Sequence, residues 1–189
     1  GGVLEVGGAP LDQPGYALMA AFSGSEGMLG VVTEITVRLL PTPPTAKVLM
    51  AAFESVEEAA SAVAGIIAAG IIPAGLEMMD TPAIIAAEDF VQAGYPRDAA
   101  AILLCELDGT QPEVAAEMGA VSALLFASGA RSVNIARDES ERERFWSGRK
   151  NAFPAIGRIS PDYYCIDGTI PRRVLGEVLK GISQLASES

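Results

Sequence analysis

The sequence contains no histidine among its 189 residues. This absence removes the commonest general base and metal ligand, and every nucleophile activated by an imidazole. Basic residues are also scarce, because 13 Lys and Arg stand against 24 Asp and Glu and give a formal net charge of −11. Clustered Lys and Arg are what bind phosphate backbones, so this charge argues against a nucleic-acid partner. We therefore expect neither a metal site nor nucleic-acid binding.

Cysteine is rare, and no uncharged run suits a membrane span. Cys105 and Cys165 each lie in an apolar stretch, which predicts two buried thiols in a reducing compartment. The longest uncharged run, 59–76, is mostly alanine and glycine and is interrupted by Gly70 and Pro73. It predicts a helix followed by a strand. No secretory pattern opens the sequence, so we expect a cytoplasmic protein.

The sequence divides into two parts of different character. Half of the residues are apolar, with a mean hydropathy of +0.32, which is ample for a packed core. The first 45 residues are rich in glycine and poor in charge, and they end in a cluster of three prolines at 41, 43 and 44. Proline at this density continues neither a strand nor a helix, so the cluster predicts a boundary.

From residue 46 onward, strand and helix patterns alternate. Capping boxes at Ser55, Thr110 and Asp138, each with Glu three residues later, predict three helix starts. Strands are expected over 47–53, 74–79, 99–107, 131–135 and 163–166, and helices over 55–69, 82–92, 110–128, from 138 and from 171. Phe145 and Trp146 are expected to anchor their helix in the core rather than stack on a cofactor.

Two architectures fit this alternation. A doubly wound parallel sheet requires a glycine-rich turn after its first strand, but here the first strand is followed by Phe53, Glu54 and Ser55. An α+β sandwich has helices on one face of an antiparallel sheet, and it tolerates the partial alternation of 47–53. The pattern favours this second architecture, a ferredoxin-like antiparallel sheet with helices.

The most specific string is FSGSEGMLGVVTE, residues 22–34, in which glycine recurs at 24, 27 and 30. Glycine lets a ligand or a strand approach the peptide groups closely, because it has no Cβ. Exposed amides in such a turn donate to anionic oxygens like those of a dinucleotide pyrophosphate. The residues alone leave two interpretations open, a tight loop before a strand and a cofactor-binding loop.

Two strings resemble one known family. Residues 14–34, which begin Pro14-Gly15-Tyr16 and include the glycine string, resemble the end of the flavin-binding domain in FAD-linked oxidases of the vanillyl-alcohol-oxidase type. Residues 145–173, FWSGRKNAFPAIGRISPDYYCIDGTIPRR, are similar to the glycolate oxidase and D-lactate dehydrogenase branch of that family. The likeness spans nearly the whole chain. It implies that residues 1–45 end an FAD-binding domain and that 46–189 are a truncated α+β cap domain of ferredoxin-like topology, so the chain is expected to be a fragment.

The resemblance also carries residue roles over to this sequence. Six positions are implied to line the FAD: Ser25, Glu26, Gly27, Gly30, Val31 and Val32. In the family, a helix arginine followed four residues later by an aromatic or small residue faces the substrate carboxylate, which corresponds to Arg149 and Phe153. A guanidinium suits this role because it binds a carboxylate through two parallel hydrogen bonds. The residues alone favour a solvated surface charge for Arg149.

The activity implied is that of an FAD-dependent oxidoreductase acting on the CH–OH group of a 2-hydroxy acid, glycolate or D-lactate, with hydride passing to flavin N5. Other oxidase subunits are implied as partners, through which the protein associates with a membrane. The family's upstream phosphate-binding loops and its downstream histidine-rich segment, which supplies the base, have no counterpart in this sequence. We therefore expect no catalytic residue here, absent or weak FAD binding, no turnover by these residues alone, and exposed apolar surface through which they form a homodimer.

A second hypothesis is a free-standing ferredoxin-like binding or regulatory module without redox activity. It fits the boundary at residues 41–44, because the strand and helix alternation stands alone after it. The opening 45 residues distinguish the two hypotheses, since a regulatory module has no need of them.

Overall fold

The computed structural model describes residues 2–8 and 15–188. Pro14, in the first of the two strings, lies outside the described residues. The chain forms two compact units, Gly1–Pro41 and Thr42–Ser189, which divide in the proline-rich segment. Across the described ranges, no helix is long and apolar enough to cross a membrane.

The amino-terminal unit has little regular structure. It contains one short helix, α1 (Leu18–Phe22), and its other described residues form neither helix nor strand. Neither residues 3–6 nor the residues after the glycine string form a strand, so the strand expected after the glycine string is wrong for this structure. Both segments are apolar but exposed, with Val31 and Leu39 each 85% exposed. A strand forms only beside a hydrogen-bonded neighbour, and the described part of this unit supplies none.

The carboxy-terminal unit is built on a four-stranded sheet. Its strands are β1 (Thr45–Phe53), β2 (Gly75–Asp80), β3 (Ala101–Gly109) and β4 (Ser132–Ile135). They lie in the order β2-β3-β1-β4, and every neighbouring pair is antiparallel. This is the strand order of a ferredoxin-like sheet, so the expected fold class is confirmed.

Six α-helices of this unit are described, and three of them begin directly after the predicted capping residues Ser55, Thr110 and Asp138. The six are α2 (Val56–Ala68), α3 (Thr81–Val91), α4 (Gln111–Ala127), α5 (Glu139–Lys150), α6 (Ala152–Ile159) and α7 (Leu175–Glu188), the last after a 3₁₀ turn at Arg172–Val174. The Ser55 hydroxyl accepts the Glu58 amide at 3.1 Å, and the Asp138 carboxylate accepts the Glu141 amide at 2.9 Å. Each cap satisfies an amide that has no partner within its helix.

Both faces of the sheet are covered by helices, so the expectation of helices on one face is wrong. Side chains alternate along β1: Leu49, Ala51 and Phe53 enter the core formed with α2 and α4. Val48 and Met50 enter a second core formed with α3 and α5. The reason lies in β1, whose residues 48–53 are all buried and present an apolar row to each side.

The fifth strand expected at residues 163–166 is also wrong, since that segment forms no strand. Tyr164 is 89% exposed, and Cys165 is exposed rather than buried. Cys105 is buried in β3 as expected, and burial raises the pKa of its thiol to about 12. Its thiol is therefore protonated at neutral pH and acts as a small apolar side chain.

Candidate functional site

The glycine string of the amino-terminal unit forms a series of left-handed turns. Gly24 has φ 78°, Glu26 φ 50° and Gly27 φ 79°. The Met28 amide donates to the Ser25 carbonyl at 2.8 Å and closes the turn. Glycine adopts these positive φ values without strain, whereas Glu26 adopts one at some energetic cost.

This loop has open space beside two of its glycines and unpaired backbone amides. A Cβ placed on Gly24 or Gly27 would meet nothing within 4 Å. Within the described ranges, the amides of Gly24, Glu26 and Gly27 donate to no other group. Unpaired amides beside open space fit anionic or carbonyl oxygens of a flavin nucleotide, although the Glu26 carboxylate disfavours a phosphate nearby.

The residues that follow the loop expose apolar side chains. Val31 and Val32 are 85% and 58% exposed. Gly30 has another role, because a Cβ there would lie 3.0 Å from Cε1 of Phe22, so its glycine permits packing within the unit. Ser25 is half-buried. The structure thus leaves Val31 and Val32 available for contact with an apolar ring, while Gly30 serves the fold of the loop.

In the carboxy-terminal unit, helix α5 is fixed to the sheet by a polar cluster around Glu106 of β3. The Glu106 carboxylate accepts two hydrogen bonds from Arg142, at 2.8 and 2.9 Å, and a third from Trp146 Nε1 at 2.6 Å. The side chain of Glu106 is 14% exposed, and its hydrogen bond raises the pKa of Arg142. A Cβ on Gly75 of β2 would lie 3.0 Å from the Trp146 ring, so glycine lets the indole rest on the strand.

Tyr95 holds the middle of α5 from beneath. Its hydroxyl donates to the Phe145 carbonyl, and its ring leaves no room for a side chain at Gly148. Burial raises the pKa of Tyr95 to about 12, so the hydroxyl stays neutral and anchors the helix. Phe145 is buried and Trp146 packs against the same core, which confirms both as core anchors.

Arg149 lies in the last turn of α5 and contacts the edge strand β2. Its Nε donates to Oε2 of Glu77 at 2.9 Å, and the two side chains are 41% and 38% exposed. Within the described part of the chain, the terminal nitrogens of Arg149 donate to no protein group. The residue is thus neither buried in the core nor a freely solvated charge.

Phe153 follows Arg149 by one turn across the junction of α5 and α6. The junction keeps helical hydrogen bonding, because the Asn151 amide donates to the Ser147 carbonyl at 3.0 Å. Asn151 nevertheless ends α5 and begins α6, so Arg149 and Phe153 lie on two successive helices. The Phe153 ring is 52% exposed and stacks on Tyr163, with centroids 6.4 Å apart and an interplanar angle of 24°.

The structure places Arg149 in α5 and Phe153 in α6 of the carboxy-terminal unit, and in the described ranges Arg149 pairs with Glu77 while Phe153 stacks on Tyr163. The six predicted cofactor residues all lie in the amino-terminal unit. Sequence reasoning missed Glu77, whose partner lies 72 residues away. Its one signal was a single acidic residue between Leu76 and Met78 in a predicted strand. Among the described residues, no three His, Cys, Asp or Glu side chains group as metal ligands.

Known proteins similar to this chain include enzyme subunits of bacteria. The glycolate oxidase subunit GlcD of Escherichia coli K12 is 62% identical over 188 residues, which cover 100% of this chain and 38% of that protein. GlcD of Bacillus subtilis is 39% identical over 189 residues, covering 100% of this chain and 40% of the relative. A D-lactate dehydrogenase of Anaerostipes hadrus is 26% identical over 182 residues, which cover 93% of this chain and 38% of that protein. The chain therefore spans about two-fifths of the length of these relatives.

A solved structure and a family model complete the comparison. Alkyldihydroxyacetonephosphate synthase shares the fold, with a TM-score of 0.66 at 17% identity, over 93% of this chain and 38% of its own. The family model described as FAD linked oxidases, C-terminal domain, matches residues 42–189, which include the whole of the ferredoxin-like sheet. The chain therefore belongs to the FAD linked oxidases, whose C-terminal domain makes up most of its length.

Proposed function

We propose that this chain is part of an FAD-dependent dehydrogenase of 2-hydroxy acids, acting on glycolate or D-lactate. The observation that carries the proposal is the 62% identity to the E. coli glycolate oxidase subunit across the whole chain. When bound, FAD accepts the hydride that the substrate carbon loses. Membership of the FAD linked oxidases favours this function over a free-standing regulatory module.

The amino-terminal unit contributes to binding of the flavin in this proposal. Six residues line the cofactor in this proposal, with Gly30 both permitting the packing of Phe22 and contributing its backbone: Ser25, Glu26, Gly27, Gly30, Val31 and Val32. The open amides near Gly24 and Gly27 support this role, since they have hydrogen bonds to give and space beside them. The exposed side chains of Val31 and Val32 offer apolar contact to a ring system. Residues 1–45 would then end an FAD-binding domain, and 46–189 would form the cap domain.

The carboxy-terminal unit holds the substrate carboxylate. Arg149 is half-exposed and has unpaired terminal nitrogens, which donate two parallel hydrogen bonds to a carboxylate. Phe153, in the next helix, presents an exposed aromatic ring that would exclude water from one side of the bound acid. Orientation of the substrate is the contribution of these two residues, and the base that removes the hydroxyl proton lies outside the 189 residues.

The 189 residues alone are expected to show no oxidation of glycolate or D-lactate. The chain has no histidine to act as base and covers only 38% of the E. coli glycolate oxidase subunit. The measurement is reduction of an artificial electron-acceptor dye with added FAD, beside the full-length protein as positive control. We expect a colourless sample and no rate for the chain alone. Turnover by the chain alone would contradict the proposal that its site is completed elsewhere.

Partner subunits are also part of the proposal, because the first relatives are described as subunits of glycolate oxidase. We propose a cytoplasmic location, with any association with a membrane made through those subunits.

Self-association of the 189-residue chain is expected at high concentration. Large apolar side chains are exposed in both units, and exposed apolar surface favours association. Among the most exposed are Val3, Tyr16, Met28, Val31, Leu39, Leu40, Ile72, Tyr164 and Ile166. Size-exclusion chromatography with light scattering over a hundredfold range of concentration checks this. A monomer at every concentration would contradict the expected homodimer.

A further inference from the structure

In the described ranges, Glu77 is the one side chain that accepts a hydrogen bond from the guanidinium of Arg149. It lies in the edge strand β2, opposite Leu104 of β3. Its contact is a single hydrogen bond, from Arg149 Nε to Glu77 Oε2, at 2.9 Å. Neither side chain is buried, so this pair adds little to the stability of the fold. The pair matters more for the direction in which it holds the guanidinium of Arg149.

A guanidinium has five N–H donors in a fixed planar fork. A carboxylate bound at Nε lies in the guanidinium plane along one edge of the group. The two terminal nitrogens then form a second donor pair along another edge. In the described part of the chain, no protein acceptor takes a hydrogen bond from that second pair. The Glu77 contact therefore leaves free the donor pair that suits a substrate carboxylate.

Strand β2 and helix α5 also meet at a second point, which holds the Glu77–Arg149 contact in place. Gly75 and Glu77 alternate to the same face of β2, and Gly75 lies under the Trp146 ring. Trp146 and Arg149 are three residues apart, so they share a face of α5. Trp146 is itself held by Glu106 at 2.6 Å. The indole contact thus fixes the height and rotation of α5 over β2. Glu77 meets Arg149 two residues further along the strand.

We propose that Glu77 is a positioning residue for the substrate arginine: by accepting the Nε–H of Arg149, it directs the two terminal nitrogens toward the carboxylate of a 2-hydroxy acid. The inference rests on the proposed function of Arg149. The opposite role is that Glu77 occupies the place of the substrate carboxylate and competes with it. The two roles predict changes of opposite sign in substrate affinity when the Glu77 carboxylate is removed.

The test is Glu77→Ala in the full-length protein, with glycolate or D-lactate as substrate. Without its acceptor, Arg149 loses its fixed orientation, so we expect KM to rise about tenfold while kcat stays within about twofold. The inhibition constant of oxalate, which has carboxylates but no hydride to lose, should rise by a similar factor. Glu77→Gln keeps a neutral acceptor and should give an intermediate KM. An unchanged or lower KM, or an equal rise in both variants, would overturn the proposal.

Two controls separate this inference from its foundation. Glu54→Ala removes a carboxylate from another Glu–Arg pair, with Arg131 Nη1 at 2.8 Å, and should leave KM unchanged. In an Arg149→Lys background, which lacks Nε, Glu77→Ala should change KM less than twofold. A full additive effect there would overturn the positioning role. If Arg149→Lys alone leaves KM unaltered, the proposed function of Arg149 fails; if only Glu77→Ala has no effect, the inference alone fails.

Discussion

Replacing Gly148 by alanine is expected to lower the free energy of unfolding by about 3 kcal/mol, the upper range for overpacking a core. A Cβ on Gly148 would lie 2.5 Å from the hydroxyl oxygen and 2.6 Å from Cζ of Tyr95. Tyr95 cannot move away at low cost, because it is 4% exposed and its hydroxyl donates to the Phe145 carbonyl. The methyl group must therefore separate α5 from the sheet or break that hydrogen bond.

The sign of this effect is opposite to that of helix propensity, which makes a matched control available. Alanine stabilises an exposed helix interior by about 1 kcal/mol relative to glycine. Gly119 lies within α4, and a Cβ there would meet nothing within 4 Å, so Gly119→Ala should stabilise the protein. Urea denaturation of both variants and the parent measures the two changes. Equal stabilisation by both substitutions would show that Tyr95 does not pack against Gly148.

Strands and helices with local signals were the predictable part of the fold. The caps at Ser55 and Asp138 are hydrogen bonds between residues three apart, so the sequence contains both partners within one short window. The expected fifth strand at 163–166 is apolar, as are the four strands that formed, but it has no neighbouring strand in the described structure. Strand pairing is a long-range condition, and composition does not report it.

The candidate site divides in the same way. The glycine string and Arg149 could be predicted as candidates from the sequence, because they belong to strings that resemble a family. Glu77 could not, since its only relation to Arg149 is spatial and requires the order β2-β3-β1-β4 together with the packing of α5. The coverage of both sheet faces could not be predicted either, because the packing of α3 and α5 on the second face depends on the place of β1 inside the sheet.

Arg149→Lys in the full-length enzyme is expected to raise KM for the 2-hydroxy acid and to lower kcat. Lysine keeps the positive charge but loses the planar fork, so the carboxylate is bound through one donor and the substrate carbon is less well directed at its acceptor. The loss should be about 1–3 kcal/mol in transition-state stabilisation, which is roughly a tenfold or larger fall in kcat/KM.

The matched control for Arg149→Lys is Arg97→Lys, since Arg97 is also a half-exposed arginine paired with one carboxylate, Asp89 at 2.6 Å. Arg97 has no place in the proposed site, and its replacement should leave both kinetic constants unchanged. Steady-state kinetics with glycolate and with D-lactate provide the measurement. Kinetics of Arg149→Lys that equal those of the parent would return Arg149 to the role of a surface ion pair. A fall in kcat/KM confined to Arg149→Lys, with Arg97→Lys at the parental value, would instead identify the fork rather than the charge as what the substrate requires.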